Sequence, residues 1–92
     1  MNAASLGALR RRFSVEAPVV GADGVLAFET RFKAWGALAP QRDGLIVRLR
    51  ARGDIEPGWR LRLGARLFEI VARQNDENAS GFMLCECREI AP

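Results

Sequence analysis

The sequence predicts an all-β fold, a small barrel or sandwich of about six short strands. Three observations carry this reading. Apolar and polar residues alternate over most of the chain, the period of a half-buried strand rather than of a helix. Turn signals recur roughly every ten residues. The only stretch with helical character, residues 4–12, has no convincing stop signal.

The elements follow in order. Residues 1–8, "MNAASLGA", read as a flexible arm or a single helical turn. "RRFSVEA" (11–17) is the first strand, with Phe13 and Val15 on one face. "PVVGADG" is a loop in which Asp23-Gly24 marks the turn. "VLAFETRFKAWGALA" (25–39) is a long second strand. Phe28, Thr30, Phe32 and Ala34 share one face of it, and Gly36 suggests a bulge where the phase switches. "PQRDG" turns the chain into "LIVRLRAR" (45–52). "GDIEPG" follows, and its Pro57-Gly58 fits the central positions of a type II turn. "WRLRLG" (59–64) and "ARLFEIVARQ" (65–74) are the fourth and fifth strands. "NDENASG" is the most polar loop, and "FMLCECREI" (82–90) is the last strand. Ninety-two residues make one domain, which buries about 60–65% of its unfolded surface.

The chemistry of most enzymes is missing. The chain has no His and no Tyr, and Ser and Thr are confined to Ser5, Ser14, Thr30 and Ser80. None of these sits in a nucleophile elbow, and no glycine-rich phosphate loop is present. Glu16, Glu29, Glu69 and Glu86 alternate with apolar residues, as on a solvated face. Cys85 and Cys87 lie at i and i+2, too close for an unstrained disulfide and too few for a zinc site. They read as buried free thiols in a reducing compartment. No signal peptide and no apolar run near 18 residues points to a membrane. No enzyme activity, cofactor or metal is expected, so the functional residues should be those that make contacts.

The candidates for such contacts are chiefly arginines. Thirteen of the fourteen basic residues are Arg, and the net charge is +3. Guanidinium forks suit carboxylates and phosphates, although a GC-rich coding sequence produces the same bias. Arg48, Arg50 and Arg52 alternate with Val47, Leu49 and Ala51 and so form one strand face. Three readings stay open: a solvated face that discourages edge pairing, an acidic protein partner, or the phosphates of a nucleic acid. Trp35, within an apolar strand, reads as core. Trp59, after the Pro-Gly turn, reads as either core or an interface anchor. Phe13, Phe28, Phe32, Phe68 and Phe82 read as core. Asn75, Asp76, Glu77 and Asn78 open a seven-residue polar loop where two residues would close a hairpin. Loops of that kind concentrate functional contacts.

Four pieces, in order, resemble one family. "LGALRRRFSVEAP" resembles the opening of phage head–tail joining proteins, and "FKAWGALAP" their aromatic strand. "VRLRARGDIEPGWRL" resembles their central strand and turn. "LGARLFEIVARQNDENASGFMLCECRE" resembles their closing hairpin. The resemblance covers Leu6 to Glu89.

It implies a small single-domain β-barrel that serves as a head-completion or stopper protein, in a phage or in a phage-like gene transfer agent. The implied assembly is a homo-oligomeric ring of six or twelve copies, formed in the bacterial cytoplasm. A portal-side adaptor ring and a tail-side terminator ring are its implied neighbours. Packaged DNA would be held without sequence readout, and no membrane is involved. In many relatives a long insertion between the second and third strands reaches into the channel. Here only Pro40 to Gly44 occupies that place. The alternative is a small basic barrel of the OB or Sm-like kind holding single-stranded nucleic acid, a reading weakened by the lack of Tyr.

Overall fold

Each turn signal sits where the chain reverses. Gly24 has φ 79°, and the Asp23 carboxylate accepts the Val25 amide at 3.0 Å. Gly58 has φ 94°, and the Trp59 amide donates to the Glu56 carbonyl at 3.2 Å, so Glu56–Trp59 is the type II turn the sequence suggests. Between such turns the alternating segments pair as antiparallel strands.

The computed structural model describes residues 11–90, so the expected arm at 1–8 lies outside the described residues. Six strands form: β1 (Arg11–Val20), β2 (Leu26–Gln41), β3 (Gly44–Arg50), β4 (Arg60–Leu63), β5 (Arg66–Asn75) and β6 (Phe82–Ile90). They close into an antiparallel barrel in the order β1-β2-β3-β6-β5-β4, with β1 pairing back to β4. Closure removes the free edges that an open sheet would present, except where the first hairpin runs past its neighbours.

Phe13, Val15, Val47, Leu49, Leu61, Phe68, Ile70, Met83 and Cys85 point inward and are almost fully buried. Phe13 and Phe68 meet edge to face, with ring centroids 6.5 Å apart. Ile55, from the β3–β4 connection, joins this core and is completely buried. Arg73 holds that connection in place: its guanidinium donates to the carbonyls of Arg52, Gly53 and Ile55. A smaller cluster of Ala37, Ala39 and Ile46, with Leu84 against it, lies on the outer face of β2, β3 and β6.

Several strand limits differ from those the sequence suggests. β1 runs on through Pro18 to Val20 instead of ending at Ala17. Beyond Glu16 its only neighbour is β2, an edge position where the missing proline N–H is tolerated. β2 extends to Gln41, which pairs with Gly44, so the β2–β3 turn is just Arg42-Asp43. β3 ends at Arg50, which leaves Arg52 outside the strand.

The phase switch in β2 occurs at Arg31, not at Gly36. Val15 pairs with Phe32 and Glu16 with Thr30, which leaves Arg31 bulged out. Phe32 and Ala34 therefore face the interior, whereas Phe28 and Thr30 share the opposite face with Glu16. Gly36 keeps regular register with both neighbours. It is glycine for packing: a Cβ there would lie 2.7 Å from the Leu49 side chain and 2.9 Å from that of Phe13. A second bulge at Val71 re-aims the end of β5.

Candidate functional site

The β3–β6 pairing builds the site. Arg48 and Arg50 project from the outer face of β3, and Phe82 lies opposite Arg50 on β6. Both guanidiniums rest on the Phe82 ring, at 5.1 and 5.3 Å from its centroid. Arg48 reaches the Asp76 carboxylate at 3.8 Å. Asp76 also caps its own loop, accepting the Asn78 amide at 2.9 Å, while its backbone N–H donates to the Phe82 carbonyl at 3.0 Å. The arginine face and the acidic loop are thus one continuous surface. Asn75, Glu77 and Asn78 are exposed on it, and Arg50 has no carboxylate within 4 Å among the described residues.

Arg52 and Trp59 fall elsewhere, beside the β3–β4 connection. Arg52 holds Asp54 through two hydrogen bonds of 3.1 and 3.2 Å and lies 3.7 Å over the Phe32 ring. The Arg52 bond keeps the Asp54 carboxyl below its usual titration range. Trp59 is half-buried against the interior core, with the Arg31 guanidinium 5.9 Å from its ring.

Other arginines are engaged inside the fold. Arg62 donates to Glu16 at 2.8 Å, and Arg60 approaches the same carboxylate at 3.9 Å while covering Phe28 at 3.5 Å. Glu16 is therefore buried, not on a solvated face as alternation suggested. Arg66 and Glu89 form a two-point pair at 2.9 Å. Among the described residues, Arg11, Arg12, Lys33, Arg42, Arg73 and Arg88 join Arg50 in having no carboxylate partner within 4 Å.

The aromatic assignments also change. Phe13 and Phe68 are core, but Phe28, Phe32 and Phe82 are half-buried beneath guanidinium groups. Trp35 is not core. It is 53% exposed on the outer face, with Arg12 5.5 Å from its ring. Sequence reasoning missed it because an apolar neighbourhood does not reveal on which side of a bulged strand a residue emerges.

Cys85 and Cys87 are free and buried. Burial pushes the Cys85 thiol up to about 11 and that of Cys87 further. Neither is a thiolate at neutral pH, so neither is a nucleophile. Folded protein at pH 8 should therefore leave an aromatic disulfide reagent unreacted over an hour, and denatured protein should release two equivalents of chromophore. Prompt reaction of the folded chain would show that the barrel opens readily.

Among the described residues no three His, Cys, Asp or Glu side chains come together as a metal site. No helix of the described residues is long and apolar enough to cross a membrane. The chain belongs to the phage head completion protein family: that family's sequence model matches residues 41–90, from the last residue of β2 to the end of β6. Among curated proteins, none matches the chain. Family membership gives it a structural role in completing the phage head, among other head and tail proteins of the virion. The matched stretch carries Arg48, Arg50, Arg52, Trp59 and the Asn75–Asn78 segment.

Proposed function

We propose that this protein is a ring-forming stopper subunit at the head–tail interface, which retains packaged DNA and offers the surface on which the tail docks. The family match across the four strands β3–β6 carries this reading. The outer face around Arg50, Phe82 and Asp76 supports a docking role, because it sets an unpaired cation beside an acidic loop. Such a pattern fixes register against a complementary ring by charge. The portal-side and tail-side rings are the partners proposed. Non-specific phosphate contact in a channel falls to the unpaired Arg and Lys residues. With only Arg42-Asp43 between β2 and β3, closure of the channel is assigned to other loops or to a neighbouring ring.

Among the described aromatic residues the nucleic-acid-binding alternative finds one well-exposed ring, Trp35 at 53%, with Arg12 5.5 Å from it. Phe28 and Phe32 each have one ring face covered, by Arg60 and Arg52 at 3.5 and 3.7 Å, which leaves no row of open rings for successive bases to stack on.

Arg50→Glu is the test. Arg50 is exposed and its only described partner is the Phe82 ring, so thermal stability should change by no more than about 0.5 kcal/mol. Incorporation of the folded variant into particles should fall. Arg48→Glu is a poorer probe because it sets two carboxylates against each other at Asp76. Normal incorporation of folded Arg50→Glu would make Arg50 a merely solvated charge.

A further inference from the structure

The first hairpin outruns the barrel. Glu16 is the last β1 residue to pair with β4, and Gly36 is the first β2 residue to pair with β3. Between these limits, residues 17–20 and 26–29 have only each other as strand neighbours, joined by the turn at Gly21–Val25. The result is a two-stranded ribbon, consistent with principal extents of 46 × 26 × 20 Å. Its end is apolar. Val20, Val25 and Leu26 are 69, 60 and 59% exposed, and Val20 and Leu26 stand directly opposite each other. Asp23 sits between them in the turn, with no cation within 4 Å among the described residues.

Near the ribbon's base lies a cleft of about 220 Å³. Exposed Trp35 and the uncovered part of half-buried Phe32 contribute its apolar wall, above buried Ile55, and Lys33, Arg50 and Arg52 its basic rim. Lys33 and Arg50 have no carboxylate partner among the described residues. An exposed Trp beside such a cleft is a common interface anchor. Tip and cleft are complementary in both respects: three aliphatic side chains and a carboxylate on one, an apolar wall and two unpaired cations on the other.

One chain cannot join its own two patches. Lys33 lies eight residue steps along β2 from Val25, about 26 Å at roughly 3.3 Å per residue. We propose that the ribbon tip of one copy docks in the Phe32–Trp35 cleft of the next copy. Because the two surfaces differ, the contact is heterologous, and repetition generates a ring when the rotation closes. This rests on the ring reading given above and supplies its subunit contact.

Cross-linking in assembled particles tests it. Ala22→Cys places a thiol at the tip and Gly53→Cys one beside Arg52 at the cleft rim, where a Cβ meets nothing within 4 Å; native Cys85 and Cys87 are buried and protonated. With a short bis-maleimide, the double variant should give a ladder of dimers, trimers and higher species. Either single variant should remain monomeric, and adding Leu26→Asp to the double variant should abolish the ladder. Dimers from Ala22→Cys alone would mean that tip meets tip and would overturn the proposal. A ring visible at the vertex without a ladder would also overturn it, while leaving the ring reading intact. Particles that join heads to tails without this chain would overturn both.

Discussion

Cells lacking this protein are expected to accumulate heads and tails that do not join. Heads should still assemble and package, since neither step requires a subunit added afterwards at the vertex. Tails should still polymerise on their own. Under the proposed connector role, without a barrel to present one face to the head and another to the tail the two should stay apart, and packaged DNA should escape from unplugged heads. The expected loss of joined particles is near complete, larger than any point substitution would produce. Electron micrographs of a deletion strain, counted for tailed and untailed heads, provide the check. Joined, DNA-bearing particles at normal yield would remove the connector role.

The largest single-residue effect on stability is expected at Phe68. Its side chain is fully buried and packs edge to face on Phe13. On β5 it stands opposite Leu61 of β4 and Glu89 of β6, so three strands converge there. Phe68→Ala removes a large apolar group from a closed barrel with little freedom to collapse, at a cost of about 3–5 kcal/mol. A chain of this size has about 5–14 kcal/mol in total, so the midpoint should drop by roughly 15–30 °C. Phe82→Ala serves as the control. Phe82 is half-buried on the outer face beneath Arg48 and Arg50, so its loss should cost well under half as much. Thermal unfolding followed by circular dichroism measures both. A Phe68→Ala midpoint within a few degrees of wild type would place the stabilising core elsewhere.

What the sequence made legible was local. Alternation located all six strands, and Asp23-Gly24 and Pro57-Gly58 located two turns, because side-chain period and glycine conformation depend only on near neighbours. Register was not legible. The bulges at Arg31 and Val71 follow from what the partner strand demands, and no residue type announces them. Missing the first one misplaced Phe28 and left the ribbon unseen, since the ribbon exists only where β1 and β2 lose their outer neighbours. The Trp35 error has the same root: an apolar neighbourhood did not show that this residue emerges on the outer face.

The candidate site shows the same division. Alternation put Arg48 and Arg50 on an outer face, which is where they lie. That Asp76 closes onto Arg48 depends on β5 and β6 carrying the polar loop back beside β3. Arg62 meets Glu16 across 46 positions, and only the barrel closure between β1 and β4 brings them together. Much of the arginine that looked available for a partner is consumed by such internal pairs. What remains exposed and unpaired, Arg50 above all, is a smaller and better defined surface than the alternating segment suggested.

The central claim is that these barrels form a ring between head and tail. A three-dimensional reconstruction of the head–tail vertex of particles carrying this protein tests it most directly. The account predicts a closed ring of six or twelve small barrels below the portal side, with the β3–β6 face and the Asn75–Asn78 segment turned toward an adjoining ring. A vertex at which portal-side and tail-side rings touch directly, with no layer of barrels between them, would contradict it.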